Sequence, residues 1–194
     1  MTRFDTFCDG VFAIAITLLG LELKIPTFDT SNAIGLGWAL LEQWMVVVAF
    51  LTSFFIILVI WNLHHRLFKL IRGVNKPLFF ANGLLLFAVT VIPFTTNLVA
   101  EYFDSSHRAI AMMVYACQSF PVGFGFVGLL QVTIRYPEVR KPGVEVKRLR
   151  AWYRKMWITS CFFVASFILV FIEPYLSLGI IFGAAVYWSL AKTY

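Results

Sequence analysis

Charged residues are scarce in this chain. Asp and Glu number 10 and Lys and Arg 16 among 194 residues, 13% together, where a soluble domain carries about 25%. With 60% hydrophobic residues, a fold of this size could not hide its apolar surface from water. Soluble, disordered and collagen-like classes are excluded. Cysteine is also sparse: Cys8, Cys117 and Cys161 lie far apart with no C-x-x-C, which excludes a disulfide framework. There is no Ser/His/Asp set, no nucleophile elbow and no P-loop, so the chain is not expected to be an enzyme. His64 and His65 are adjacent and point in different directions on a helix. A two-His metal site wants i, i+4 spacing, and none is expected here. The first apolar stretch has no basic leader and no small-residue cleavage site, and it carries Asp9 and Thr17, so it does not read as a removable signal peptide.

What the chain does have is long apolar runs. Six are expected as helices, at about 4–23, 41–63, 77–99, 110–134, 157–172 and 175–190. A span needs about 20 residues, and each run is too long for a strand. Polar and apolar residues do not alternate, which disfavours a closed barrel. The expected class is an all-α integral membrane protein, with residues 1–194 a single six-helix transmembrane domain.

Basic residues sort between the connections. Arg3, Arg66, Lys69, Arg72, Lys76, Lys192 and the eight between Arg135 and Lys155 fall on one side, 14 of the 16, leaving only Lys24 and Arg108 on the other. The positive-inside rule then puts both termini in the cytoplasm. The basic run 135–155 reads as topogenic charge facing anionic membrane lipid, with Trp152, Tyr153 and Trp157 as an interfacial belt. A nucleic-acid partner is not expected, and no soluble partner is evident.

Gly123-Phe-Gly125-Phe-Val-Gly128 matches the dinucleotide fingerprint in letters only. It lies inside an apolar span, not between a strand and a helix, and reads as close helix packing. Gly179 and Gly183 form a G-x-x-x-G that reads as a helix contact.

The informative segment is the first helix. Asp9 lies within its first two turns, where a carboxylate costs several kcal/mol unless paired or hydrated. It is either a structural hydrogen-bond or ion-pair partner or a functional group. Gly10, Ile14, Thr17 and Leu21 follow a 4, 3, 4 spacing with Leu18 adjacent, which places them on one helical face. That stripe is either a helix–helix seam or a pore face whose aliphatic rings gate by dewetting.

Arg3-x-x-x-Phe7-Cys8-Asp9 resembles the R-x-x-x-F-S-D signature of the transmembrane protein 175 family of potassium channels, with Cys8 where the pattern has Ser. Asp9-Gly-Val-Phe-Ala-Ile-Ala-Ile-Thr-Leu-Leu continues the pattern. Trp61-x-x-His64, Arg66-Leu-Phe68, Asn82 and Pro93 resemble the family's second and third helices. The resemblance implies a homotetramer whose first helices line a central pore. It makes Ile14 the narrowest ring, with Leu18 and Leu21 extending the apolar bottleneck, and links Thr17 to ion selectivity. It also implies that Arg3, Phe7, Cys8, Asp9, Trp61, His64 and Asn82 form a cytoplasmic-side network joining the first three helices. The family lacks a carbonyl TVGYG filter, and none is present here.

The expected function is therefore a plasma-membrane potassium channel, with weaker selectivity than a carbonyl filter confers. Potassium is its permeant ion and there is no cofactor. Glu22 and Asp29 would sit near the outer mouth, and Gly10 and Gly20 would permit splay of the first helix. The family's proton-permeable members make proton conduction a variant. The alternative is a cation- or proton-coupled secondary transporter using Asp9, with Pro93 and the Gly-rich fourth helix as its broken helices.

Overall fold

In a computed structural model of the chain, residues 2–21, 23 and 33–191 are described. Lys24, Asp29, Glu22 and Lys192, singled out above, lie outside them. The described residues form seven α-helices: α1 (Thr2–Leu21), α2 (Ala33–Glu42), α3 (Trp44–Phe68), α4 (Lys76–Tyr102), α5 (Arg108–Arg135), α6 (Val146–Leu169) and α7 (Pro174–Leu190).

Four of them, α1, α3, α4 and α5, are long and apolar enough to cross a membrane. The remaining two large helices fall short for different reasons. α7 has 17 residues, and α6 has 24 residues with its charge concentrated in the first half.

The helix starts follow local chemistry. The Asn75 side chain accepts the Leu78 amide at 3.0 Å, and Pro77 occupies the first turn of α4. Glu173 and Pro174 open α7 in the same way. Pro93 in α4 and Pro121 in α5 each remove a backbone donor, yet both helices run through them unbroken. Gln118 of α5 donates to the Ala88 carbonyl at 3.1 Å, one residue before the Val89 carbonyl that Pro93 leaves without its helical donor.

The most extensive packing joins α4 to α5, and α5 next to α6. Glycine makes both possible. A Cβ on Gly125 would lie 2.9–3.1 Å from Leu85 atoms, backbone included, and one on Gly128 would lie 3.2 Å from the Ala81 Cβ. A Cβ on Gly123 would lie 2.7 Å from the Ser160 hydroxyl. The fingerprint-like glycines are thus a packing device, as read from their place in an apolar span. A Cβ at Gly179 or Gly183 would meet open space, so within this subunit the G-x-x-x-G makes no close helix contact.

The start of α6 also differs. The sequence placed a helix at about 157, whereas α6 begins at Val146. Leu149, Trp152 and Met156 are buried at helical spacing, so the basic run from Val146 onward is an amphipathic helix with its charges outside. α2 was not foreseen as a separate helix. The connections after α3 and α5 are tied together by an antiparallel bridge between Ile71 and Arg140. The Arg72 side chain donates to the Glu138 carbonyl at 2.9 Å in the same tie.

Polar side chains join helices at a second level. Thr96 donates to Ser53 at 2.7 Å, and Ser53 pairs with the Tyr115 hydroxyl at 3.1 Å, all three buried. This links α3, α4 and α5. Trp188 of α7 donates to Thr159 of α6 at 3.0 Å.

Candidate functional site

α1 has two unlike faces. Cys8, Phe12, Ala15 and Leu19 repeat at 4, 3 and 4 residues and are at most 1% exposed. They pack against α3 and α4. At 100° per residue the opposite face carries Arg3, Phe7, Gly10, Ile14, Thr17, Leu18 and Leu21. Phe7 is 62% exposed, Ile14 61%, Leu18 40% and Leu21 76%. The stripe picked out by spacing is thus the face that this subunit leaves uncovered.

Thr17 interrupts that face with one hydroxyl. Its Oγ1 donates to the Ile14 carbonyl at 2.9 Å. With its proton used on its own backbone, the oxygen keeps lone pairs free to accept or to coordinate a cation.

At the N-terminal end of α1 a polar cluster holds three helices. Asn82 of α4 donates from Nδ2 to the Cys8 sulfur at 3.2 Å. Its Oδ1 lies 2.9 Å from His64 Nε2 of α3. An amide oxygen only accepts, so His64 donates from Nε2. The His64 ring stacks on Phe68 at 4.0 Å and meets Phe12 at 5.3 Å. Trp61 donates its indole N–H to Asp9 Oδ1 at 2.9 Å and stacks on His65 at 5.6 Å.

Cys8, Asp9, Trp61, His64 and Asn82 are therefore brought together on α1, α3 and α4. Arg3 and Phe7 are not joined to them within one subunit, because both sit on the uncovered face. Sequence reasoning missed Asp5, which precedes Asp9 by one turn. With Asp9, His65, Lys69, Arg72 and Lys141 it lines a cavity of about 440 Å³ beside the cluster. The i, i+4 pair of carboxylates was its available signal.

The comparisons with known proteins follow this geometry. A family model described as endosomal/lysosomal potassium channel TMEM175 matches residues 3–93, the stretch that contains every residue discussed above from Arg3 to Asn82. A potassium channel of Chamaesiphon minutus is 37% identical over 188 residues, covering 97% of this chain and 93% of that protein. The chain belongs to the TMEM175 family. Another member, a potassium channel of Streptomyces collinus, is 33% identical over 178 residues, 91% of this chain and 85% of that one. The TMEM175 fold matches as well. The crystal structure of a lysosomal potassium-selective channel TMEM175 homologue from Chamaesiphon minutus superposes with TM-score 0.86 at 37% identity, covering 97% of this chain and 96% of that one. As a member of a TMEM175 channel family with several apolar helices, the chain is membrane-embedded.

Proposed function

We propose that this chain is one subunit of a potassium-selective channel, and that four copies bring the uncovered face of α1 to a common axis. The exposed line Phe7, Ile14, Leu18 and Leu21, interrupted by Thr17, carries this reading. One helix cannot enclose a conduit, and cyclic symmetry would bring copies of the same face together. The relatives' names and the matching fold support potassium as the permeant ion.

In this reading α1, α3, α4, α5, α6 and α7 each cross the membrane, in a plasma membrane with both termini cytoplasmic. Ile14 forms the narrowest ring, Leu18 and Leu21 extend it, and Thr17 hydroxyl oxygens replace part of the ion's hydration. A ring of aliphatic side chains resists wetting, so conduction needs dilation by a splay of α1. Arg3 and Phe7 then contact neighbouring subunits, while Asp9 holds Trp61 and so fixes the tilt of α1 against α3. The unbroken course of α4 and α5 through their prolines speaks against the broken helices of a coupled transporter using Asp9.

The test is the reversal potential of the purified oligomer in planar bilayers, with potassium on one side and sodium on the other. A shift toward the potassium equilibrium potential is expected. Ile14→Asn should wet the constriction and raise the leak at least several-fold. Unchanged flux would remove Ile14 as the gate, and saturable, substrate-coupled flux abolished by Asp9→Asn would favour the transporter.

A further inference from the structure

A concave groove of about 890 Å³ opens between the end of α5 and the start of α6. Lys147, Arg150 and Arg154 line it at i, i+3 and i+7 of α6, on one helical face. Among the described residues none of the three side chains makes a hydrogen bond or an ion pair. Of the acidic residues in the preceding connection, Glu145 pairs with Arg148 at 2.9 Å, and Glu138 is not among the residues that line the groove. Three like charges along one face repel one another unless an anion lies between them.

Two further features aim at the same place. The groove is bounded by Val146 and Lys147, the first residues of α6, whose N-terminus has no side-chain cap. Its partial positive charge adds to the three cations. Beyond the cations the wall becomes aromatic. Tyr153 meets Trp157 edge-on at 6.4 Å, and Trp157 meets Phe124 of α5 at 6.2 Å. Trp157 is 41% and Phe124 45% exposed, so an apolar surface continues from the basic end toward the membrane middle.

We propose that this groove is a binding site for one anionic phospholipid per subunit. The phosphate headgroup sits among Lys147, Arg150, Arg154 and the first turn of α6. The acyl chains lie over Trp157 and Phe124. Scattered topogenic charge needs neither a concave site nor a shared face, and a free phosphate needs no apolar wall. The proposal rests on the reading of α5 and α6 as membrane-crossing helices, and it is independent of ion conduction.

The test is native mass spectrometry of the purified oligomer titrated with dioleoylphosphatidylglycerol or dioleoylphosphatidylcholine. One phosphatidylglycerol per subunit is expected, bound at least tenfold more tightly than phosphatidylcholine. The combined change Lys147→Gln, Arg150→Gln and Arg154→Gln should weaken retention at least tenfold. The charge-matched control Lys69→Gln, Lys76→Gln and Lys141→Gln should retain it. If the triple variant fails to fold, Arg150→Gln alone decides, with a several-fold loss expected. Equal retention of the two lipids, an equal loss in the control, or saturation by soluble glycerol 3-phosphate as tight as by the lipid would overturn the proposal. Lipid retention without ion flux would count against the channel reading alone. Intact flux with no lipid preference would count against this site alone.

Discussion

At the residue scale the polar cluster turns on Asn82, buried at 1% exposure. Its amide uses both ends, one toward Cys8 and one toward His64. Asn82→Leu leaves the His64 N–H buried and unpaired, which costs about 1–3 kcal/mol. A corresponding fall in thermal midpoint in detergent is expected. Cys8→Ser keeps an acceptor for Asn82 and should change stability by less than Asn82→Leu does. If Asn82→Leu melts with the parent, the hydrogen-bonded cluster does not anchor α1. The family resemblance named these residues and grouped Arg3 and Phe7 with them. Both are turned by about 100° or more from Cys8 around α1, so within one subunit they reach the uncovered side instead.

At the element scale the glycines of α5 let α4 and α6 approach it closely. Gly125→Val pushes a branched side chain into the Leu85 backbone, which cannot yield as a flexible side-chain end can. Overpacking of this kind costs about 1–3 kcal/mol. A lower melting temperature is expected, and a melting temperature equal to the parent's would show that α4 and α5 separate freely. Gly183→Ala meets no atom within 4 Å and should melt like the parent. Both glycine motifs read as helix contacts in the sequence. Their difference lies in which side of each helix the neighbours occupy. The early start of α6 was hidden for another reason. Its basic residues suggested a loop, while the apolar line Leu149, Trp152, Met156 was carrying a helical period beneath them.

At the scale of the whole molecule the question is what covers α1. Apolar side chains at Ile14 and Leu21 that are more than half exposed face either lipid or another copy of the chain. Native mass spectrometry should find four chains of 22.1 kDa each in one particle. A particle that stays monomeric on dilution and in several detergents would leave the α1 face to lipid. Gly10→Ala offers a separate probe, since an added methyl meets no atom of its own subunit within 4 Å. The melting temperature of the subunit should be unchanged, so an altered single-channel conductance would report contacts or space at the shared axis.

Membrane residence and helical structure follow from composition and from the length of the apolar runs, because burying this much apolar side chain in water has no solution at this size. The face formed by Gly10, Ile14, Thr17 and Leu21 also follows from spacing alone, because the helical repeat is a local property. Which face of α1 stays uncovered does not. α1 is apolar on several sides, and Phe12, Ala15 and Leu19 are as hydrophobic as the residues opposite them. Only the packing of α3 and α4 against Cys8, Phe12, Ala15 and Leu19 selects the side that remains free. That choice is tertiary because it depends on Asn82, Trp61 and His64, which reach α1 from 52 to 74 residues away in sequence.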